Sequence, residues 1–361
     1  MDTVYTTFTV QEWEEEGSKA GTVYPHRQPT VPHPLHATLC CGKESLLVIG
    51  GWDRKEAAPL AQVLEWDRAS FQWRRLPDLP VPLSEAQSAV TAGGCVLVFG
   101  GSTQHGLSDK LWLLQRKKYN ESDVLEWTFL PAYGTYQECP QATPTPRIGH
   151  SLTTGKAVHP VTGETEEVLY LFGGFDGQRH RREVWRLWVT ATLATQEAVW
   201  EEVVPAQGMA PSPRRGMAVV FDPSQYALYV FGGVDCSCNE VYTFYMKENQ
   251  NRWVCAPTQG VLPAPQRGVA ACLKENSLLL FLEGTCGLHL IKLQLADMRV
   301  GVVKIPSSHL SFLSCRANSS ATACSESGET FFFGGTTPDS VLDSLLRVGF
   351  DKTETANSKK K

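Results

Sequence analysis

The chain has 361 residues with a formal net charge of -5, and hydrophobic residues make up 42% of it. The acidic balance argues against general affinity for nucleic acid or anionic membranes, and no uninterrupted apolar run approaches the roughly 20 residues needed to span a bilayer. The 10 Trp and 15 Phe supply bulk for a large core.

The amino terminus, MDTVYTTFTVQEWEEEG, is acidic and has no basic segment leading into an apolar run, so it reads neither as a secretory leader nor as a transit peptide. The expected location is the cytoplasm or the nucleus. The 11 cysteines are odd in number and scattered from Cys40 to Cys324, several of them inside apolar runs such as GCVLVFGG, which fits a reducing compartment. Cys40-Cys41 and Cys236-Ser-Cys238 are the close pairs, and neither has partners at zinc-site spacing. No metal and no cofactor is expected. The sequons at Asn120 and Asn318 are idle without a secretory route.

An internal repeat dominates the chain. In order, LLVIGG ends at Gly51, CVLVFGG at Gly101, LYLFGG at Gly174, LYVFGG at Gly233, a worn LLLFLEG at Gly284 and FFFGG at Gly335. Each copy is a short β-favouring apolar run stopped by glycine, and the copies lie about 50 to 75 residues apart. A second strand follows each: QVLEW, DKLWLL, EVWRLW, NEVYTFY, GLHLIKL and DSLLRV. An outer strand comes next, with Trp73, Trp127, Trp200 or Trp253 expected in the core and only GVVKI in the fifth copy. A turn and a further apolar run then lead into the next glycine pair, most clearly in PTPRIGHSL, PSPRRGMAVV and PAPQRGVAAC. Four strands per repeat result.

These residues resemble the kelch-repeat family over roughly residues 3 to 350. The resemblance implies an all-β fold, a six-bladed β-propeller with four antiparallel strands per blade. The expected blades are 33-80, 81-134, 144-208, 210-260, 261-308 and 309-350. The amino-terminal strand 3-17, TTFTVQEWEEEG with Trp13, completes the last blade and closes the ring. Blade five, lacking both a glycine pair and a tryptophan, is expected to be the least regular. Blade three carries a hairpin-like insertion, GKAVHPVTGETEEV, and the tail 351-361 is expected to be disordered.

Because direction reverses at each strand, the connections after the second strand and before the first emerge on one face. That places Arg147, Arg214, Arg215 and Arg267 beside the basic loop bearing Arg179, His180, Arg181 and Arg182, with Trp52 as an apolar anchor nearby. Convergent guanidinium groups suit bidentate recognition of carboxylate or phosphate. A bland alternative is pairing of these arginines with Asp53, Asp176 or Asp235 at equivalent loop positions.

No nucleophile elbow, phosphate loop, HExxH or dinucleotide fingerprint occurs, and the Glu, Asp and His spacing by which some kelch relatives hold iron is missing. His150, replaced by Met217 and Val269 in the next two copies, reads as packing near the channel. The expected function is a non-catalytic scaffold or adaptor that binds a protein or peptide partner, acidic or carboxylate-bearing, on one face. The alternatives are a structural subunit using several faces and, less favoured, a propeller enzyme.

Overall fold

The computed structural model describes residues 8–12, 35–119, 122–133, 142–234, 240–246, 251–260, 267–274, 276–284, 287–302, 320–323, 329–334 and 345–350. Outside them lie Trp13, Asp235, the Cys236 and Cys238 pair, the sequon asparagines Asn120 and Asn318 and the tail 351-361. The side chain of Arg267 is likewise not described, although its backbone opens a strand.

Among the described residues the long strands group into six four-stranded antiparallel sheets. From the inner strand outward, sheet 1 is Thr38–Cys41, Ser45–Ile49, Val63–Asp67 and Trp73–Leu76. Sheet 2 is Gln87–Val90, Val96–Phe99, Leu111–Tyr119 and Ser122–Leu130. Sheet 3 is Ser151–Val158, Thr165–Phe175, His180–Trp188 and Trp200–Glu202. Sheet 4 is Met217–Asp222, Ala227–Gly232, Glu240–Tyr245 and Arg252–Pro257. Sheet 5 is Arg267–Lys274, Ser277–Gly284, Gly287–Gln294 and Arg299–Val302. Sheet 6 is Ser320–Ala323, Thr330–Phe333 and Leu345–Phe350, with Phe8–Glu12 outermost.

The glycine-pair strands are apolar at successive positions because sheets cover both of their faces. Leu97 joins a cluster with Leu169 and Trp185 of sheet 3, whereas its neighbour Val98 joins one with Leu47 and Ile49 of sheet 1. Side chains alternate across a strand with a period of two, so one strand feeds two cores. Phe172 packs with Leu228 and Phe244, and Phe231 with Leu280 and Ile291. Phe281 meets Phe332 edge-on at 4.9 Å, and Phe331 returns to Leu46 and Leu64 of sheet 1. The core is thus a series of slices between consecutive sheets.

Two tryptophans depart from expectation. Trp200 and Trp253 are buried, but Trp73 and Trp127 are only partly so, and the Trp127 indole donates to the Pro77 carbonyl at 2.8 Å. Sheet 5 keeps an eight-residue second strand despite its Glu283-Gly284, with a register shift at Gly268 to Ala270 between its first two strands. The blade-three insertion lengthens the first two strands of sheet 3 into a hairpin closed by His159 N donating to Glu164 O. The short helix Val189–Thr195, which buries Val189 and Thr192, joins the last two strands of that sheet. No described helix is long and apolar enough to cross a membrane.

The chain ends meet in sheet 6, where Phe8 lies opposite Phe350 and Glu12 opposite Leu346. That pairing covers an edge that would otherwise be open. Deletion of residues 1–12 is expected to lower the thermal midpoint and to promote association in size-exclusion chromatography. An unchanged midpoint and elution volume would show that the pairing contributes nothing.

Candidate interaction face

The glycine pairs are the joints between sheets. Gly100 and Gly101 have φ of 73° and 95°, and Gly173 and Gly174 have 66° and 103°, a region that side-chain-bearing residues rarely enter. Space is also short, since a Cβ on Gly173 would lie 2.8 Å from the Arg214 carbonyl oxygen. In three pairs the second glycine donates its N–H to the turn of the next sheet: Gly51 to Leu83 O, Gly101 to Arg147 O and Gly174 to Arg214 O, at 2.8, 2.9 and 2.9 Å. The loops after second strands and before first strands therefore share one end of the molecule.

This joint decides the fate of two predicted contact residues. Arg147 is 0% exposed and donates Nε to Thr145 O, Nη2 to Thr145 Oγ1 and Nη1 to Gly173 O, at 2.9 to 3.0 Å. Arg214, 2% exposed, repeats the pattern with Ser212 O, Ser212 Oγ and Gly232 O, and lies 5.2 Å from the Tyr242 ring centroid. Burial pulls the Arg147 pKa down to about 10, with nearby Arg181 acting in the same direction and Glu183 against it. Both guanidinium groups are consumed by backbone carbonyls and hydroxyls, with Glu183 Oε2 a further 3.8 Å from Arg147 Nη1, so neither faces a ligand. The expectation that Arg147 and Arg214 contact a partner is corrected accordingly.

A signal for this lay in the sequence. Each latch has the form Pro-Thr/Ser-Pro-Arg, the hydroxyl residue two before the arginine supplying two of its three acceptors. Where arginine is replaced the hydroxyl goes with it, as in Pro80-Val-Pro-Leu83 and Pro263-Ala-Pro-Gln266.

The basic stretch of sheet 3 divides between turn and strand. Phe175 pairs with His180 and Gly174 with Arg181, so His180 to Arg182 already belong to the third strand. Asp176 Oδ1 accepts the amides of Gln178 and Arg179 at 2.9 and 2.7 Å, closing the turn. Arg181 is held by Asp176 at 2.7 Å and by Glu183 at 3.0 Å. Arg179 and Arg182 are exposed, and no carboxylate among the described residues pairs with either. Arg215 is half-buried, its guanidinium 5.4 Å from the Phe175 ring centroid, with His180 edge-on to the same ring at 5.3 Å.

Trp52 is partly exposed, opposite Pro59 in a two-residue ladder, while buried Asp53 accepts the amides of Lys55 and Glu56. Of the predicted contact residues, Trp52, Arg179, Arg182 and Arg215 keep exposed surface.

His150 is buried beneath Gly100, with its ring edge-on to Phe99 at 5.6 Å. Burial, reinforced by Arg147, takes its pKa down to about 3, which keeps it neutral at physiological pH. The inner strands of all six sheets surround a cavity of about 520 Å³, lined by small residues such as Thr38, Ser88, Ser151 and Ala271. The Thr38 and Ser88 hydroxyls bond each other at 2.8 Å along its wall, between the inner strands of sheets 1 and 2. Among the described residues no group of three His, Cys, Asp or Glu is placed to hold a metal ion.

Two measurements follow from this geometry. Hydrogen bonds from a charged group contribute about 1.5–3 kcal/mol, and their loss strands buried carbonyls. Arg147→Ala and Arg214→Ala should therefore each lower unfolding stability in urea by about 3 kcal/mol; a loss below about 0.5 kcal/mol would contradict the latch.

For Asp176, burial alone would raise the pKa, but the two amides and Arg181 outweigh it and hold the carboxyl at about 2. A depressed folded pKa contributes stability above the unfolded value of about 4 and loses it as pH falls towards 2. Asp176→Asn should thus lower the thermal midpoint more at pH 7 than at pH 2.5, and an equal loss at both would contradict the assignment.

Comparison with known proteins gives a consistent result. The chain is 25% identical over 221 residues to an F-box/kelch-repeat protein of Arabidopsis thaliana, covering 56% of this chain and 43% of that one. It is 24% identical over 246 residues to Acyl-CoA-binding domain-containing protein 4 of the same organism, covering 66% and 32%. The matches thus span less than half the length of either relative. The family model described as the KLHDC2/KLHL20/DRC7 Kelch-repeats domain matches residues 35–281 and 126–335. With its glycine joints, four-stranded sheets and this match, the chain belongs to the kelch-repeat family and is an all-β kelch propeller.

Proposed function

We propose that the protein is a non-catalytic interaction scaffold that takes an acidic or carboxylate-bearing partner peptide on the loop face described above. The single observation that carries this reading is the imbalance of charge on that face. Asp176 and Glu183 are engaged by Arg181, while Arg179, Arg182 and Arg215 have no carboxylate partner among the described residues. Guanidinium forks match carboxylate geometry, and Phe175 beneath Arg215 restrains one of them before binding.

In this reading the six sheets form one closed six-bladed ring. Support comes from inner-strand contacts that run from sheet to sheet and return from Ser320–Ala323 to Thr38–Cys41. Such a ring is a rigid support on which loops carry recognition. Arg147 and Arg214 belong to the support, and Arg179, Arg182, Arg215 and Trp52 to the contact surface. Arg267 occupies the position in its repeat that Arg215 occupies in sheet 4.

The test is a paired pull-down from cell extract with the wild-type chain and an Arg179→Ala/Arg182→Ala/Arg215→Ala variant of matched thermal midpoint. Partners captured by the wild type and lost from the variant are expected. An unchanged partner set would overturn the loop-face reading.

A further inference from the structure

The latch of sheet 4 carries chemistry that the fold does not use. Its serine, Ser212, is exposed, and so is Pro213 after it, whereas Thr145 and Pro146 of the equivalent latch are only partly so. The approach along the chain is open as well: residues 204–209 are all exposed, with Val204 and Met209 at 62% and 81%.

The segment is held extended by its prolines. Pro211 and Pro213 fix their own φ, and each keeps the residue before it out of the helical region. Neither has an N–H, and among the described residues no hydrogen bond holds the amides of Met209, Ala210 or Ser212. The bonds that do hold Ser212 come from Arg214, Nε to its carbonyl and Nη2 to its hydroxyl, both at 3.0 Å. Another protein's groove can therefore take this stretch without breaking backbone pairing.

The cation beside that hydroxyl is only partly compensated. Burial pulls the Arg214 pKa down against the opposing influence of Tyr242 and Glu240. Two of its bonds already end on Ser212, so an anion carried by the serine oxygen would meet a guanidinium fork already in place. Arg147 differs, since Glu183 Oε2 stands 3.8 Å from its Nη1 and would repel a phosphate on Thr145. A second arginine, Arg215, follows Arg214, where Ile148 follows Arg147.

We propose that Ser212 is a phosphorylation site for a proline-directed protein kinase, with Arg214 as the cation that holds the phosphate. Ser212 Oγ attacks the γ-phosphorus of ATP; the Oγ–P bond forms as the bond to the bridging oxygen of ADP breaks, and the hydroxyl proton passes to the kinase's general base. A kinase groove that takes an extended acceptor and offers nothing to the next amide selects proline there, which has no N–H to leave unpaired. The product sets about -2 charge and three acceptor oxygens beside the guanidinium. Bonds from cation to anion then replace bonds from cation to neutral oxygen, and they tighten the turn whose Arg214 carbonyl receives the Gly174 N–H from sheet 3. The inference rests on the latch alone and not on the partner proposed for the loop face.

The test incubates the purified folded chain with ATP and a proline-directed kinase, followed by intact mass and peptide mapping. One phosphoryl group is expected, on Ser212; Ser212→Ala should abolish it and Pro213→Ala should slow it at least about tenfold. No phosphorylation of the folded chain, or modification of Thr145 in preference to Ser212, would overturn the proposal.

A second arm reads the product. The phosphorylated chain should melt about 2 °C or more above the unmodified one at pH 7. Its phosphoserine, followed by phosphorus NMR, should titrate below the ordinary value of about 6. Both effects should shrink in Arg214→Gln, compared with its own unmodified form. An unmoved or lowered midpoint, or a phosphate that titrates as in a free peptide, would overturn the role of Arg214, and the wild-type chain alone decides this if the variant fails to fold.

Discussion

The hydrogen bond from the second glycine of a pair to the turn of the next sheet, made by Gly51, Gly101 and Gly174, is the contact on which the architecture depends. They make it at 2.8 to 2.9 Å, and each donor sits in a backbone conformation that glycine tolerates. A Cβ at Gly50 would stand 2.3 Å from the Leu83 carbonyl oxygen, so the approach itself demands glycine. Hydrophobic slices between sheets supply most of the burial, but they are non-directional. The glycine contacts fix how far each sheet rotates against the next, and hence which loops share a face.

That constraint sorts the arginines into two populations. Arg147 and Arg214 turn back beneath the joint and tie the first glycine carbonyl of their own sheet to the Thr or Ser two residues earlier. Through their own carbonyls they also accept the glycine N–H of the preceding sheet. Each therefore links two sheets. In the proposed reading, Arg179, Arg182 and Arg215 stand on the supported surface and keep their charge for a ligand. A buried cation met by carbonyls, hydroxyls and a carboxylate is a structural element.

Much of this was legible in the sequence because a strand buried on both faces must be apolar at every position and must stop where the backbone turns left-handed. The runs ending at Gly51, Gly101, Gly174 and Gly233 meet both conditions. Burial of individual arginines was less legible, since it depends on the residue two places earlier rather than on the arginine itself. The helix Val189–Thr195 escaped notice because it has no side-chain cap and spans seven residues, ending at Gln196 with φ of 57°. His36 and Glu85 adopt φ of 53° and 54° where the equivalent turns have Gly149 and Gly216, a departure that residue type concealed.

The most direct test of the central claim is residue-resolved hydrogen exchange at the amides of Gly51, Gly101 and Gly174. If these contacts join the sheets, all three should exchange only through global unfolding, with the free energy measured for the whole molecule. Exchange at rates typical of exposed loops, while second-strand amides remain protected, would contradict the account and leave the hydrophobic slices alone to set the geometry.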